Sequence, residues 1–192
     1  MENMTQQVAY PRNCDVTSLI VELVKLYKPR VYLEIGTQKG YTFTRVAPLV
    51  EEAHAVDVKI QKAVRRVPNA TVHECDSDTF FKAMPEGDWF DMVFIDGDHA
   101  MEQVLRDAYN ALDVVRPGTG LVLIHDTYPI TPELAVEGRC GNAWKAARHL
   151  WLTDGGYECL TLPGPAYGVT ILRKCSGHFG NSDLDREYGG EE

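Results

Sequence analysis

Short apolar runs alternating with helically spaced stretches constrain this chain more than any other feature. The runs are Arg30–Ile35 (RVYLEI), His54–Val58 (HAVDV), Ala70–Glu74 (ATVHE), Phe90–Ile95 (FDMVFI) and Gly120–His125 (GLVLIH). Each has strand length and carries β-branched or aromatic residues. Asp15–Lys28 has apolar residues at 16, 19, 20, 23, 24, 26 and 27, and Pro29 stops it. That spacing predicts a helix. Tyr41–Glu52, Ile60–Val67, Asp78–Met84 and Met101–Val115 read as further helices, one between each pair of strands. Thr127–Gly141, with Pro129, Pro132 and Gly138, reads as irregular, and Asn142–Leu152 as helical. Tyr157–Leu162 and Tyr167–Arg173 flank Pro163-Gly164-Pro165 like the arms of a hairpin, which makes the last strand antiparallel to the rest. The expected fold is α/β: a doubly wound, mostly parallel seven-stranded sheet, last strand antiparallel, with helices on both faces.

In such sheets ligands bind beyond the carboxyl ends of the strands, so those residues carry the chemistry. The first strand ends in Glu34-Ile35-Gly36-Thr37-Gln38-Lys39-Gly40. Glycines let a backbone turn sharply and approach a ligand. Two glycines four apart do not make the G-x-G-x-x-G of a dinucleotide site, and the acid Glu34 suits a cationic ligand better than a diphosphate. Asp57 follows the second strand, 21 residues after Gly36. A carboxylate there either takes both hydroxyls of a ribose or caps the next helix. Cys75-Asp76-Ser77-Asp78 after the third strand offers groups for an adenine edge, or another cap. The fourth strand ends in Asp96-Gly97-Asp98-His99 and the fifth in His125-Asp126-Thr127. Neighbouring strands lie about 4.8 Å apart, which lets Asp96 and Asp126 face each other across a cleft mouth. Two carboxylates with an imidazole can hold a divalent cation or serve as turn residues and caps.

Composition narrows the partners. A formal charge of −9 disfavours sequence-independent nucleic-acid binding, which needs basic side chains on phosphates. No apolar run approaches the ~20 residues of a membrane helix. MENMTQQVAYPRN has no basic region followed by an apolar segment, so it is not expected to be a secretory signal. Five widely spaced cysteines without a C-x-x-C suggest buried, inert thiols in a reducing cytoplasm rather than a disulfide frame or zinc site.

Taken together, Glu34-x-Gly36-x-x-x-Gly40, Asp57, the acidic turn at Asp76, FIDGDH with its following helix, Arg-Pro-Gly and Ile-His-Asp-Thr resemble the class I S-adenosylmethionine-dependent methyltransferases. Within that class they look closest to a small bacterial group with an IDGDH…PGG…HD signature, related to metal-dependent O-methyltransferases of sugars and catechols. The resemblance covers roughly residues 15–175 and implies a Rossmann-like fold. It implies that the Gly36–Thr37–Gly40 loop approaches the methionine part of the cofactor with Glu34 beneath it. Asp57 would then bind the ribose, Asp76 and Ser77 would flank the adenine, and Asp96 would lie by the cofactor. It implies His99 as general base beside Asp96, and Asp96 with Asp126 as metal ligands. His125 is the adjacent candidate ligand, for Mg2+ or another divalent cation. Thr127 after Asp126, and Pro117-Gly118-Thr119-Gly120 in place of Pro-Gly-Gly, depart from the group's pattern.

The expected function is methyl transfer to a hydroxyl oxygen of a small molecule of sugar or phenol type. The alternatives are a metal-independent methyltransferase acting on nitrogen or a macromolecule, and a nucleotide-dependent oxidoreductase. Residues 1–174 are expected to form one domain and 175–192 an acidic, Gly-rich mobile tail. Thr127–Gly141 is expected to cover the acceptor, with Tyr128, Arg139 and Trp144 in contact. The expected partners are a small-molecule acceptor and a second copy of the chain that completes its pocket, with no nucleic acid and no membrane.

Overall fold

The computed structural model describes residues 15–87, 89–153, 155–164 and 167–175. Cys14 and the tail beyond Cys175 lie outside the described residues. The elements in chain order are α1 (Val16–Tyr27), β1 (Val31–Ile35), α2 (Tyr41–Val46), β2 (Glu52–Val56), α3 (Lys62–Arg65), β3 (Ala70–His73) and α4 (Ser77–Ala83). They continue with β4 (Met92–Ile95), α5 (Met101–Val114), β5 (Leu121–His125), α6 (Ala143–Leu152), β6 (Tyr157–Leu162) and β7 (Val169–Lys174).

The seven strands form one sheet in the order β3-β2-β1-β4-β5-β7-β6. β1 to β5 pair in parallel, and β7 runs antiparallel between β5 and β6. Alternation along the strands divides the core in two. Leu33, Ile35, Val93, Ile95, Val122 and Ile124 pack with residues of α4, α5 and α6. Tyr32, Met92, Phe94, Leu121 and Leu123 pack with residues of α1, α2 and α3. β4 is buried at every position, as a strand covered on both faces must be. No helix among the described residues is long and apolar enough to cross a membrane.

Two helices are shorter than their spacing predicts. α2 ends at Val46 rather than Glu52, and a single 3-10 turn, Ala47–Leu49, follows. Pro48 has no N–H to donate and its ring crowds the carbonyl four residues back, so the α-helix cannot continue. Asn69 Nδ2 donates to the carbonyls of Ala47 (2.8 Å) and Val50 (3.0 Å), which fixes the turn. α3 keeps only Lys62–Arg65 of the expected Ile60–Val67.

One anchor has no motif. Asp91, just before β4, accepts the backbone N–H groups of Arg30 (2.8 Å) and Val31 (2.9 Å) at Oδ2, while Arg116 Nε donates to Oδ1 at 2.5 Å. It ties the entry of β1 to that of β4 and to the turn before β5. Asp91→Ala leaves these donors unpaired and is expected to cost about 2–3 kcal/mol. Urea denaturation measures this, and a loss below about 0.5 kcal/mol, the level of an ordinary surface change, would contradict it.

Candidate active site

β1 and β4 are neighbours, and their carboxyl ends touch. Gly36 N–H donates to Val56 O and Asp96 N–H to Ile35 O, both at 2.8 Å. A Cβ on Gly36 would lie 2.4 Å from the Asp96 carbonyl oxygen and 2.5 Å from Gly97 Cα, and its φ is +85°. Only glycine fits there. Gly40, with φ +79°, backs onto Val64 of α3. Thr37 between them is buried, with its hydroxyl unpartnered among the described residues.

Beyond this crossing lies a cavity of about 410 Å³, lined by Gly36, Asp57, Asp76, Asp96, Gln103 and Asp107 among others. Asp57 does not cap α3. Its Oδ2 accepts the Gln38 N–H (2.7 Å) and its Oδ1 the Lys59 N–H (2.9 Å), so it joins the loops after β1 and β2. Asp76 lines the cavity and also caps α4, accepting the Thr79 N–H at 2.7 Å. Ser77 lines it too and accepts from Gln103 Nε2 at 3.1 Å. Glu34 lies behind the glycine loop, 2 % exposed, accepting from the Tyr32 hydroxyl at 2.7 Å. Burial pushes its carboxyl up to about 8, beyond what the hydrogen bonds from Tyr32 and the Phe43 N–H offset.

Sequence reasoning missed Asp107. It sits mid-helix in α5, 1 % exposed, with Oδ1 accepting from Gln103 Nε2 at 3.0 Å and Oδ2 unpartnered among the described residues. Burial raises its carboxyl. The available signal was an acid on the apolar face set by Val104, Ala108 and Ala111.

At the ends of β4 and β5 four titratable groups converge. His125 Nδ1 lies 2.9 Å from Asp96 Oδ1. His99 Nε2 lies 3.3 Å from Asp126 Oδ2 and 3.8 Å from Asp96 Oδ1, and its Nδ1 meets the Arg139 carbonyl. Asp96, the Arg139 carbonyl and Asp126 raise His99 to about 9 against the pull of burial. Burial alone would raise Asp96, but hydrogen bonds and charge from His125 and His99 hold it below the usual carboxylate range. Asp126, at φ +59° and buried, is raised by desolvation. Cys140 points its thiol at Asp126 Oδ1 (3.8 Å), and burial with that carboxylate pushes it up to about 12, so this cysteine is inert. Cys75, Cys159 and Cys175 are free and only half-buried.

Asp96, His99 and Asp126 each place a ligand atom within 4.8 Å of the others, a set that fits a divalent cation. His125 stands beside this set, 3.6 Å from Asp126 Oδ1. The loop over the cluster is stitched to it: Asn142 N–H donates to His99 O at 2.8 Å, and Gly141 packs on His99. Tyr128 and Trp144 line a second cavity with Thr127, Arg148 and Leu160, whereas Arg139 contributes its carbonyl to His99.

Residues 33–127 match a family model described as a methyltransferase domain. No curated protein matches the chain in sequence. Among solved structures, the fold is similar to the O-methyltransferase TomG from Streptomyces achromogenes, involved in tomaymycin synthesis and in complex with S-adenosylmethionine. It has 17% identity, covers 83% of this chain and 79% of that one, and gives a TM-score of 0.65. An O-methyltransferase from Bacillus cereus in complex with S-adenosylhomocysteine has 17% identity, covers 85% and 84%, and gives a TM-score of 0.60. An rRNA methylase from Streptococcus thermophilus shares the fold at 10% identity, covering 86% and 100% with a TM-score of 0.61. Residues 33–127 are thus similar to a methyltransferase domain, and the chain shares its seven-stranded fold with these structures.

Proposed function

We propose that this chain is a methyltransferase that uses S-adenosylmethionine to methylate a hydroxyl oxygen of a small molecule. It falls within the group whose signature here reads Ile95-Asp96-Gly97-Asp98-His99, Pro117-Gly118 and His125-Asp126. The observation that carries the proposal is the adjacency of two features. A nucleoside-sized, acid-lined cavity ends at Asp96, and an acid–imidazole cluster begins at the same residue.

In this reading the backbone of Gly36 lets the cofactor lie close to the sheet edge. Asp57 takes the ribose hydroxyls, and Asp76 and Ser77 border the adenine. Acids around the cavity suit a sulfonium cation. The acceptor oxygen attacks the methyl carbon in line, a C–O bond forms, the C–S bond breaks, and the hydroxyl proton leaves. Holding the partners in line supplies much of the rate. His99 holds its own proton at neutral pH between Asp96 and Asp126. A sulfonium nearby lowers its proton affinity by like-charge repulsion, which moves it toward the basic form. With His99 neutral, Asp96, Asp126 and His99 would instead hold a divalent cation, which would lower the pKa of the acceptor hydroxyl in place of the imidazole base. The free cysteines suit a reducing cytoplasm.

Calorimetry with S-adenosylhomocysteine, beside an NAD control, tests the cofactor. Binding is expected for the first alone, with Asp57→Ala weakening it by about a hundredfold, or ~2.7 kcal/mol. Failure of S-adenosylhomocysteine to bind, with or without magnesium, overturns the proposal.

A further inference from the structure

β6 is the outer edge of the sheet, paired with β7 on one side and with no strand among the described residues on the other. An edge presents a row of backbone donors and acceptors, and proteins that must stay monomeric blunt it with charge, proline or a bulge. β6, Tyr-Glu-Cys-Leu-Thr-Leu, has no proline, and Leu160 in its middle is 59 % exposed. Its one charge, Glu158, is already held by Arg173, with Oε2 accepting from Nε at 2.7 Å. The opposite edge differs: β3 carries none of the exposed large apolar side chains among the described residues. Apolar surface wraps the β6 edge on both faces of the sheet. On the face covered by α6, the second cavity, about 520 Å³, is lined by Tyr128, Trp151 and Leu160 among others. On the face covered by α1, another of about 590 Å³ is lined by Tyr27, Leu160 and Ile171 with the Glu158–Arg173 pair. Leu160 belongs to both.

Area and charge name the occupant. Trp151, Leu152 and Tyr27 are each more than half exposed. With Leu160 and Tyr128 they leave roughly 600 Å² of side chain in water, at about 150–250 Å² for each aromatic, which approaches the ~800 Å² that each partner buries in a standard interface. The chain carries −9 overall, so its copies repel unless they meet where acids are few. The linings of the two cavities hold Arg148, Arg173 and Glu158, two cations against one anion. We infer that a second copy of this chain covers β6, the two β6 strands pairing antiparallel into one continuous sheet. Such a pairing is two-fold symmetric, so each contact occurs twice. With the axis at Leu160, Glu158 faces the partner's Leu162, and no two like charges meet. Alternate side chains of a strand point to opposite faces, so the partner's strand feeds both cavities at once.

The test uses the full chain, its mass measured in solution by light scattering after gel filtration over a range of protein concentrations. The parent is expected at twice 21.5 kDa. Leu160→Lys and Leu160→Glu each set two like charges against one another at the axis. Each is expected to weaken association by about a hundredfold or more, because one substitution counts twice. Mixed one to one, the two variants place Lys opposite Glu and restore the dimer. Thr71→Lys, at an exposed position on the far edge β3, leaves the mass unchanged. Leu160 is exposed, so its variants fold, which circular dichroism verifies. A monomeric parent overturns the inference. Deuterium exchange then tells an open edge, with fast β6 amides, from one covered by the chain's own terminal residues, with slow ones, and either replaces the second copy. A dimer that survives both Leu160 substitutions overturns it as well. So does a mixture of the two variants that fails to associate, or a dimer lost in Thr71→Lys.

Discussion

Gly36→Ala is expected to destabilise the protein by about 2–4 kcal/mol, combining the left-handed backbone penalty with overpacking, and to abolish binding of S-adenosylhomocysteine. The added methyl would sit 2.4 Å from the Asp96 carbonyl oxygen and 2.5 Å from Gly97 Cα. Both are backbone, so no side chain can swing away. Relief requires β1 and β4 to part where Asp96 N–H bonds Ile35 O. Gly97→Ala is the control. It is the next glycine along this rim, but its methyl meets the Ile35 side chain at an ordinary 3.6 Å. Urea denaturation of the two variants, with calorimetry on each, separates a crowded crossing from general intolerance of the loop. Equal stability of the Gly36 variant and the parent would refute the account of this crossing.

Glu34→Gln is expected to change the sign of its effect with pH. In the unfolded chain Glu34 loses its proton near pH 4.5, and in the folded chain near 8. Between those values only the folded state holds the proton. Raising pH through that window therefore weakens the fold, by up to about 1.4 kcal/mol per unit. The contribution is fully present below pH 4.5 and exhausted above about 8. Glutamine keeps the shape and never ionises. The variant should match or fall slightly below the parent at pH 5 and exceed it by on the order of 3 kcal/mol at pH 9. The quantity to measure is the difference between the two urea-derived pH profiles, which cancels every other titrating group. Parallel profiles would mean that Glu34 is not held neutral.

The sheet was legible because strand burial writes itself into sequence. Five runs of apolar residues at regular intervals admit few arrangements other than parallel strands with helical crossovers. The helix ends were less legible, since Pro48 acts through a steric rule that apolar spacing overrides on paper. The strand-end residues Asp57, Asp96 and Asp126 were named from position alone. Several partners at this rim were not, because Gln38 (bonded to Asp57), Cys140 (bonded to Asp126) and Arg139 (whose carbonyl meets His99) come from other parts of the chain. Asp57 shows the gain from geometry: spacing allowed a helix cap, and its two bonds go to the loops after β1 and β2. Asp91 and Asp107 were invisible as motifs, for their roles depend on partners far away in sequence or on burial inside a helix.

The stitch between α6 and the loop after β4 has a bearing on how such a chain diversifies. Asn142 grips the backbone of His99, and two residues later the indole of Trp144 lines the second cavity. One short stretch of main chain touches both the acid–imidazole cluster and the wall of the second cavity. A change that reshapes the wall shifts the pose of the imidazole as well. The shape of the second cavity and the pose of the imidazole are therefore coupled through one stretch of main chain, so a change at either is expected to be felt at the other.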